Sequence, residues 1–235
     1  MKILLGILFL LFCNTLYADS ARELNTQGYR LYKQHQYEQA LTLFKRATVA
    51  DPRYALAFYN VASTLGVLHK KSVCKYDAYL SLINKYLKKS VQLDPSRRSR
   101  MKRDHDLDPV HPTFIYQRLL GLKLNRTSHV KKMLRRIHWY GNPNGVIGPE
   151  SRIYFKQRGQ VILQSRSLGA NGLHTENETA RYRVNGRRIT IYRRSASGVR
   201  STVHGRLTHH GQLRFNHRMP SNMRQFSDNP SNCSA

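Results

Sequence analysis

The apolar residues of this chain change their period once along its length, and that change limits the folds open to it. Up to about residue 124 they recur in steps of three and four, the spacing that lines one face of a helix. From Ser151 onward they recur in steps of two, the spacing of a half-buried strand. Leu24, Gly28 and Leu31 form one helical stripe. Tyr37, Ala40, Leu41, Phe44 and Ala47 form a second, after a polar turn around Gln34–Gln36. Asp51-Pro52 then ends the helix, because proline cannot continue one. The reading is α+β: N-terminal helical hairpins followed by a C-terminal antiparallel β meander or small barrel. The expected divisions are 1–18 signal peptide, 19–124 helical domain, 125–150 connecting helix and turn, 151–219 β domain and 220–235 polar, disordered tail.

The first hairpin carries more than periodicity. With Ala21 as position one, Leu24 takes the usual aromatic position, Gly28 the small position eight and Leu31 the large position eleven. Ala40, Phe44, Ala47 and Pro52 then fall at positions twenty, twenty-four, twenty-seven and thirty-two. In that register the segment resembles a tetratricopeptide repeat, a pair of antiparallel helices with a 34-residue period. Gln27 stands where the pattern has Leu. A second copy starts at Ala55, with Phe58, Val61, Ala62 and Leu65 on its first helix. Its second helix is delayed to Tyr76–Leu93, so roughly nine extra residues are expected in the turn around His69–Lys75. Such repeats hold a peptide on the groove made by their first helices. The resemblance implies a lining of Asn25, Tyr29, Tyr32, Tyr59, Asn60 and Ser63, and a protein or peptide partner.

After a basic run at residues 96–103 comes an acidic turn, Asp104-His105-Asp106-Leu107-Asp108, and an apolar set at Phe114, Tyr116, Leu119, Leu120 and Leu122. This is similar to the closing helix that follows bacterial tetratricopeptide repeats and covers the last apolar face. His105, Asp106, Asp108 and His111 are metal-ligand types, but Pro109 and Pro112 crowd them and the spacing is irregular. The expectation is a turn whose carboxylates cap the next helix, with no metal. Val130, Met133, Leu134 and Ile137 make a short amphipathic helix flanked by Lys131, Lys132, Arg135 and Arg136. It is expected to pack between the two halves, the alternative being an anionic membrane surface. Trp139, the single tryptophan, is expected to plug one end of the β domain.

Three hairpins are legible in the β half. Gln157-Arg158-Gly159 connects strands in which Phe155 pairs with Val161 and Ile153 with Leu163. Asn185-Gly186 is a strong two-residue turn signal and would pair Tyr182 with Ile189 and Ala180 with Ile191. His209-His210-Gly211 joins Val203, Gly205 and Leu207 to Leu213 and Phe215 on one face. Three hairpins give a six-stranded meander, which resembles small lipocalin-like domains of envelope proteins. Its outer face collects Tyr154, Lys156, Arg181, Arg183, Arg188, Tyr192, Arg206 and Arg214.

Charge separates the halves. The chain has 40 Lys+Arg against 13 Asp+Glu, a formal charge of +27. Residues 125–235 hold 20 basic and 4 acidic side chains, and 17 of those 20 are Arg. Arginine forks suit phosphate and carboxylate, and tyrosines among them can stack. The outer face therefore reads either as a polyanion-binding surface or as the wet side of a sheet whose cations discourage edge pairing.

The N-terminus has the order of a cleaved secretory signal: Lys2, the apolar run Ile3–Phe12 and a small residue, Ala18, at the cut. Cys13 offers a lipoprotein alternative, which bulky Phe12 disfavours. Export would permit a disulfide between Cys74 and Cys233, or leave two free thiols. No GxSxG, HExxH or phosphate-binding glycine loop is present, so the reading is non-enzymatic, with no catalytic residue, cofactor or small-molecule substrate evident. The leading expectation is an exported interaction adaptor or scaffold, periplasmic or secreted. The alternative is a polyanion binder using the arginine-rich face.

Overall fold

The computed structural model describes residues 19–72, 79–141, 150–170, 172–194, 198–217, 219 and 223–228. The expected signal peptide and all three cysteines lie outside the described residues. The architecture is α+β: helices first, then an eight-stranded antiparallel sheet curled into a nearly closed barrel.

Helices α1 (Ala21–Lys33), α2 (Tyr37–Ala50), α3 (Ala55–Lys71) and α4 (Tyr79–Leu93) form two consecutive hairpins. The start of α1 is fixed by a capping box, in which Ser20 and Glu23 each accept from the other's backbone N–H. Gly28 is required by packing: a Cβ there would lie 2.8 Å from the Phe44 ring and 3.3 Å from the Ala40 carbonyl oxygen. Phe44, Ala40, Ala62, Leu65, Ile83 and Leu87 are buried between the helices. Full burial of a side chain such as Phe44 contributes about 3 kcal/mol. Part of the extra length in the second repeat is helical, since α3 runs on through His69–Lys71 instead of turning there.

Beyond α4 come α5 (Arg97–Met101), a 3-10 turn at His105–Val110, α6 (Phe114–Leu119) and α7 (Thr127–Arg136). Asp104 caps the 3-10 turn by accepting from the Asp106 N–H, and Thr113 caps α6. Helix α6 belongs to both cores. Its Tyr116 is buried in the helical core and its Phe114 in the barrel core. Leu122 and Leu124, on the helical side of the expected boundary, are also buried in the barrel core. On α7, Val130, Met133 and Leu134 close one end of the barrel, followed by Ile137. Buried Trp139 completes this plug and donates its indole N–H to the Leu134 carbonyl, 3.0 Å away.

The strands are β1 (Trp139–Gly141), β2 (Glu150–Phe155), β3 (Gln160–Gly169), β4 (Gly172–Asn185), β5 (Arg188–Arg194), β6 (Arg200–Leu207), β7 (Leu213–Phe215) and β8 (Gln225–Phe226). They pair in chain order, and reciprocal bonds of 2.8 and 2.9 Å between Tyr140 and Ser227 join the two ends of the sheet. The meander thus has eight strands where six were expected. β1 and β8 are too short to show alternation, and Phe226, in the segment expected to be a disordered tail, is buried. The first hairpin has the expected register, Phe155 opposite Val161 and Ile153 opposite Leu163. The second is shifted by two residues: Tyr182 faces Ile191 and Val184 faces Ile189. Its loop is Gly186-Arg187, with Gly186 at φ 56, the positive value a two-residue turn can demand at its first central position. A shift of two preserves the faces, so Ala180, Tyr182, Ile189 and Ile191 still point inward and are buried.

Candidate functional site

Two surfaces gather the residues singled out from sequence. In the helical half, the six expected groove residues converge, but the chain's own acidic turn lies among them. Tyr59 is fully buried and donates its hydroxyl to Asp104 Oδ2 at 2.6 Å, and Ser63 donates to the same oxygen at 3.0 Å. Tyr32 donates to Asp106. Asn60 donates to Asn25 at 2.8 Å, tying α3 to α1. Burial raises the Tyr32 and Tyr59 hydroxyls well above the usual phenol range, and the carboxylate each one meets adds to the effect. Burial likewise raises the Asp106 carboxyl. The backbone of the turn sits directly on α3 at Gly66, where a Cβ would be 2.0 Å from the Asp106 carbonyl oxygen. Tyr29 alone of the six is well exposed, at 50 %, and its ring stacks on Tyr32 at 6.3 Å.

The barrel presents a different surface. β4 and β5 pair from Asn185–Arg188 to Arg181–Tyr192 and then part. Beyond that point Gly172–Ala180 of β4 pairs with β3, while Arg193 and Arg194 of β5 pair with β6. Arg193 spans the parting with two bonds to Glu178, at 2.8 and 2.5 Å, and those bonds hold its guanidinium more firmly protonated than usual. Outside this bridge the parting opens into a cleft of about 1260 Å³ lined by Lys156, Arg158, Arg181, Tyr192, Arg194 and Arg200. Two smaller clefts, about 570 and 360 Å³, continue it past Arg183 to Lys131 and Arg135 on α7.

Arg158 lines all three clefts. It sits at φ 55, a left-handed conformation that costs a non-glycine residue of order 1 kcal/mol. Arg183 lies 5.9 Å from the centre of the Tyr192 ring, within cation–π reach. Eight cations line the connected clefts without an ion pair among the described residues: Lys131, Arg135, Lys156, Arg158, Arg181, Arg183, Arg194 and Arg200. The remaining sequence-predicted cations form a second row. Arg188, Arg206 and Arg214 stand directly opposite one another across β5, β6 and β7, and all three are exposed. Like charges in such positions repel. Tyr154 lines none of the three clefts but adjoins them, with its hydroxyl on Gln164 at 3.4 Å and the cleft residue Lys156 placing Nζ 5.5 Å from its ring centre.

Sequence reasoning named Lys156, Arg181, Arg183 and Tyr192 but passed over Arg158, Arg194 and Arg200. Arg158 reads as an ordinary loop residue, and the parting of β4 from β5 leaves no local signal. Lys131 and Arg135 were visible as the polar flank of a helix, without their neighbours across the β2–β3 turn.

No family model matches the chain, and no curated protein matches it. Among solved structures it is similar to one described as the first TPR of Spaghetti (RPAP3) bound to HSP90 peptide SRMEEVD, at 20 % identity and a TM-score of 0.30, covering 50 % of this chain and 92 % of that one.

Proposed function

We propose that this chain acts after export, in the periplasm or outside the cell, as a non-enzymatic binding protein whose barrel captures an anionic polymer or an anionic membrane surface. The observation that supports this most is the meeting of three clefts at Arg158, lined by eight cations that have no ion pair among the described residues. Uncompensated cations crowded on one face repel each other, and a polyanion relieves that repulsion while releasing its counterions. Guanidinium forks recognise phosphate, sulfate and carboxylate groups alike. Heparin, and vesicles of phosphatidylcholine with and without phosphatidylserine, would be titrated with the mature chain across a salt series. The reading expects tight binding at physiological salt that falls steeply as salt rises, and a loss of several-fold in Arg158→Gln. Binding already lost at modest salt, or indifferent to Arg158, would count against it.

A second reading makes the helical half a protein-docking platform, so that the whole chain is an adaptor. The exposed Tyr29 ring, stacked on Tyr32 at the rim of the occupied groove, favours it. Tyr29→Ala should reduce capture of a protein partner without changing stability, whereas Tyr59 is too deeply buried to serve as such a probe.

A further inference from the structure

A separate pocket lies where the two halves meet. It has a volume of about 590 Å³, within the range of small-molecule sites. The acidic turn, α6 and α7 build its walls, together with Lys102 after α5 and His138 before β1. Lys102 faces it from the helical side, and Lys132 and Arg136 face it from α7. None of these three has an ion pair among the described residues, and all three are exposed. The single lining carboxylate is Asp108, which lies 3.6 Å from His105 and 3.4 Å from His111. Three cations against one carboxylate leave a net charge of two positive.

The rest of the lining suits an organic group. Pro112, Tyr116 and Leu120 provide an apolar wall. Tyr116 keeps its hydroxyl turned away, donating to the Met101 carbonyl at 2.6 Å, so the pocket meets its ring. Gln117 is buried and braces the joint, donating to the His111 carbonyl at 2.7 Å. Burial holds His111 and His138 below the usual histidine range, so at neutral pH they add hydrogen-bonding capacity more than charge. His138 is also tied across the joint by its N–H to the Pro112 carbonyl at 3.3 Å.

We infer that this joint pocket binds a small phosphate monoester, with Lys102, Lys132 and Arg136 on the phosphate and the Pro112–Tyr116–Leu120 wall against its organic group. A phosphate monoester carries about −1.5 to −2 at neutral pH, which matches the net charge of the lining. Arg136 supplies a planar fork and the two lysines supply mobile point charges, a common division of work around phosphate. Because the ligand touches both halves, binding stiffens the joint. The inference does not depend on the polyanion reading, since none of these residues lines the clefts that meet at Arg158.

Phenyl phosphate is a suitable probe, titrated into the full mature chain by calorimetry and by the fluorescence of Trp139, which adjoins His138 and is the only tryptophan. Saturable one-to-one binding is expected, at least tenfold tighter than inorganic phosphate. Lys132→Gln with Arg136→Gln should weaken it at least tenfold, and so should Lys102→Gln on the opposite wall. Arg53→Gln, an exposed control in the turn between α2 and α3, should leave it within twofold. No saturation would overturn the assignment. So would equal affinity for inorganic phosphate, or wild-type affinity in both pocket variants.

Discussion

The helical half and the barrel treat their charged groups in opposite ways. In the helical half, the carboxylates that reach the groove are satisfied from within: Asp104 by Tyr59 and Ser63, Asp106 by Tyr32. In the barrel, one cation at the β4–β5 parting is matched, Arg193 by Glu178, while the cations around it have no ion pair among the described residues. A buried charge must find partners inside the fold, whereas an exposed one can wait for a ligand. The groove is therefore part of the fold's own stability, and the open electrostatic capacity lies on the barrel and the joint. A repeat-like groove is commonly the first place to look for binding, but here its hydrogen-bonding groups are already used.

The largest effect should come from breaking the satisfied side of that comparison. Asp104→Ala orphans the buried hydroxyl of Tyr59, leaves Ser63 unpaired and removes the cap on the 3-10 turn. A loss of about 3 kcal/mol is expected in chemical denaturation, with heparin affinity unchanged under conditions where the variant remains folded. A smaller effect probes the link between the halves. Gly211 has φ 79, and a Cβ there would meet the Phe114 ring at 2.5 Å. Gly211→Ala should cost about 2 kcal/mol, from strain at the β6–β7 turn and displacement of α6. Near-ultraviolet circular dichroism should show both halves loosening, because α6 serves both cores.

How much of this was legible beforehand depended on distance along the chain. The helix pairs and the first hairpin were legible because their signals are local: small residues at Gly28 and Ala40, and a three-residue loop ending in Gly159. The second hairpin was misplaced by two residues because Asn185-Gly186 looks like a complete turn, while the sheet uses Gly186-Arg187. The filled groove was not legible, since nothing local says that Asp104 reaches Tyr59, 45 residues away. Gly66 was a clue in hindsight: a glycine inside a helix costs about 1 kcal/mol relative to alanine, and here it makes room for the turn. The eight cations were all visible as residues. Their convergence was not, because it depends on where β4 leaves β5 and where α7 docks.

The matched cation at the β4–β5 parting offers a sharper test of modest size. Glu178→Gln removes the carboxylate that Arg193 spans the parting to reach. Stability should fall by about 1 kcal/mol, since the pair is only partly buried, while heparin affinity rises several-fold with the added net charge. A fall in affinity would mean that the bridge shapes the cleft more than it neutralises it. The smallest effect concerns pH. Burial raises the Asp228 carboxyl, which accepts the Phe114 N–H at 2.6 Å, above its ordinary value of 3.8. The folded chain therefore takes up this proton before the unfolded chain does, so stability contributed by the group grows as pH falls through the raised value and is complete below about 3.8. Asp228→Asn mimics the protonated form. Its advantage over the wild type in urea denaturation should be greatest near neutral pH and shrink on acidification.

The most direct test removes three charges from either half and compares the results. Arg158→Gln, Arg181→Gln and Arg183→Gln remove three of the eight cations at the barrel junction, and Lys45→Gln, Lys85→Gln and Lys88→Gln remove the same charge from exposed helix positions. Binding of oligodeoxythymidine would be followed across a salt series for both variants. The barrel variant should lose at least tenfold in affinity and flatten the logarithmic salt slope by about 2, at about 0.7 per lost phosphate contact, while the helical variant stays within twofold of the wild type. Equal losses in the two variants would show that net charge alone attracts the polymer and would contradict a site on the barrel.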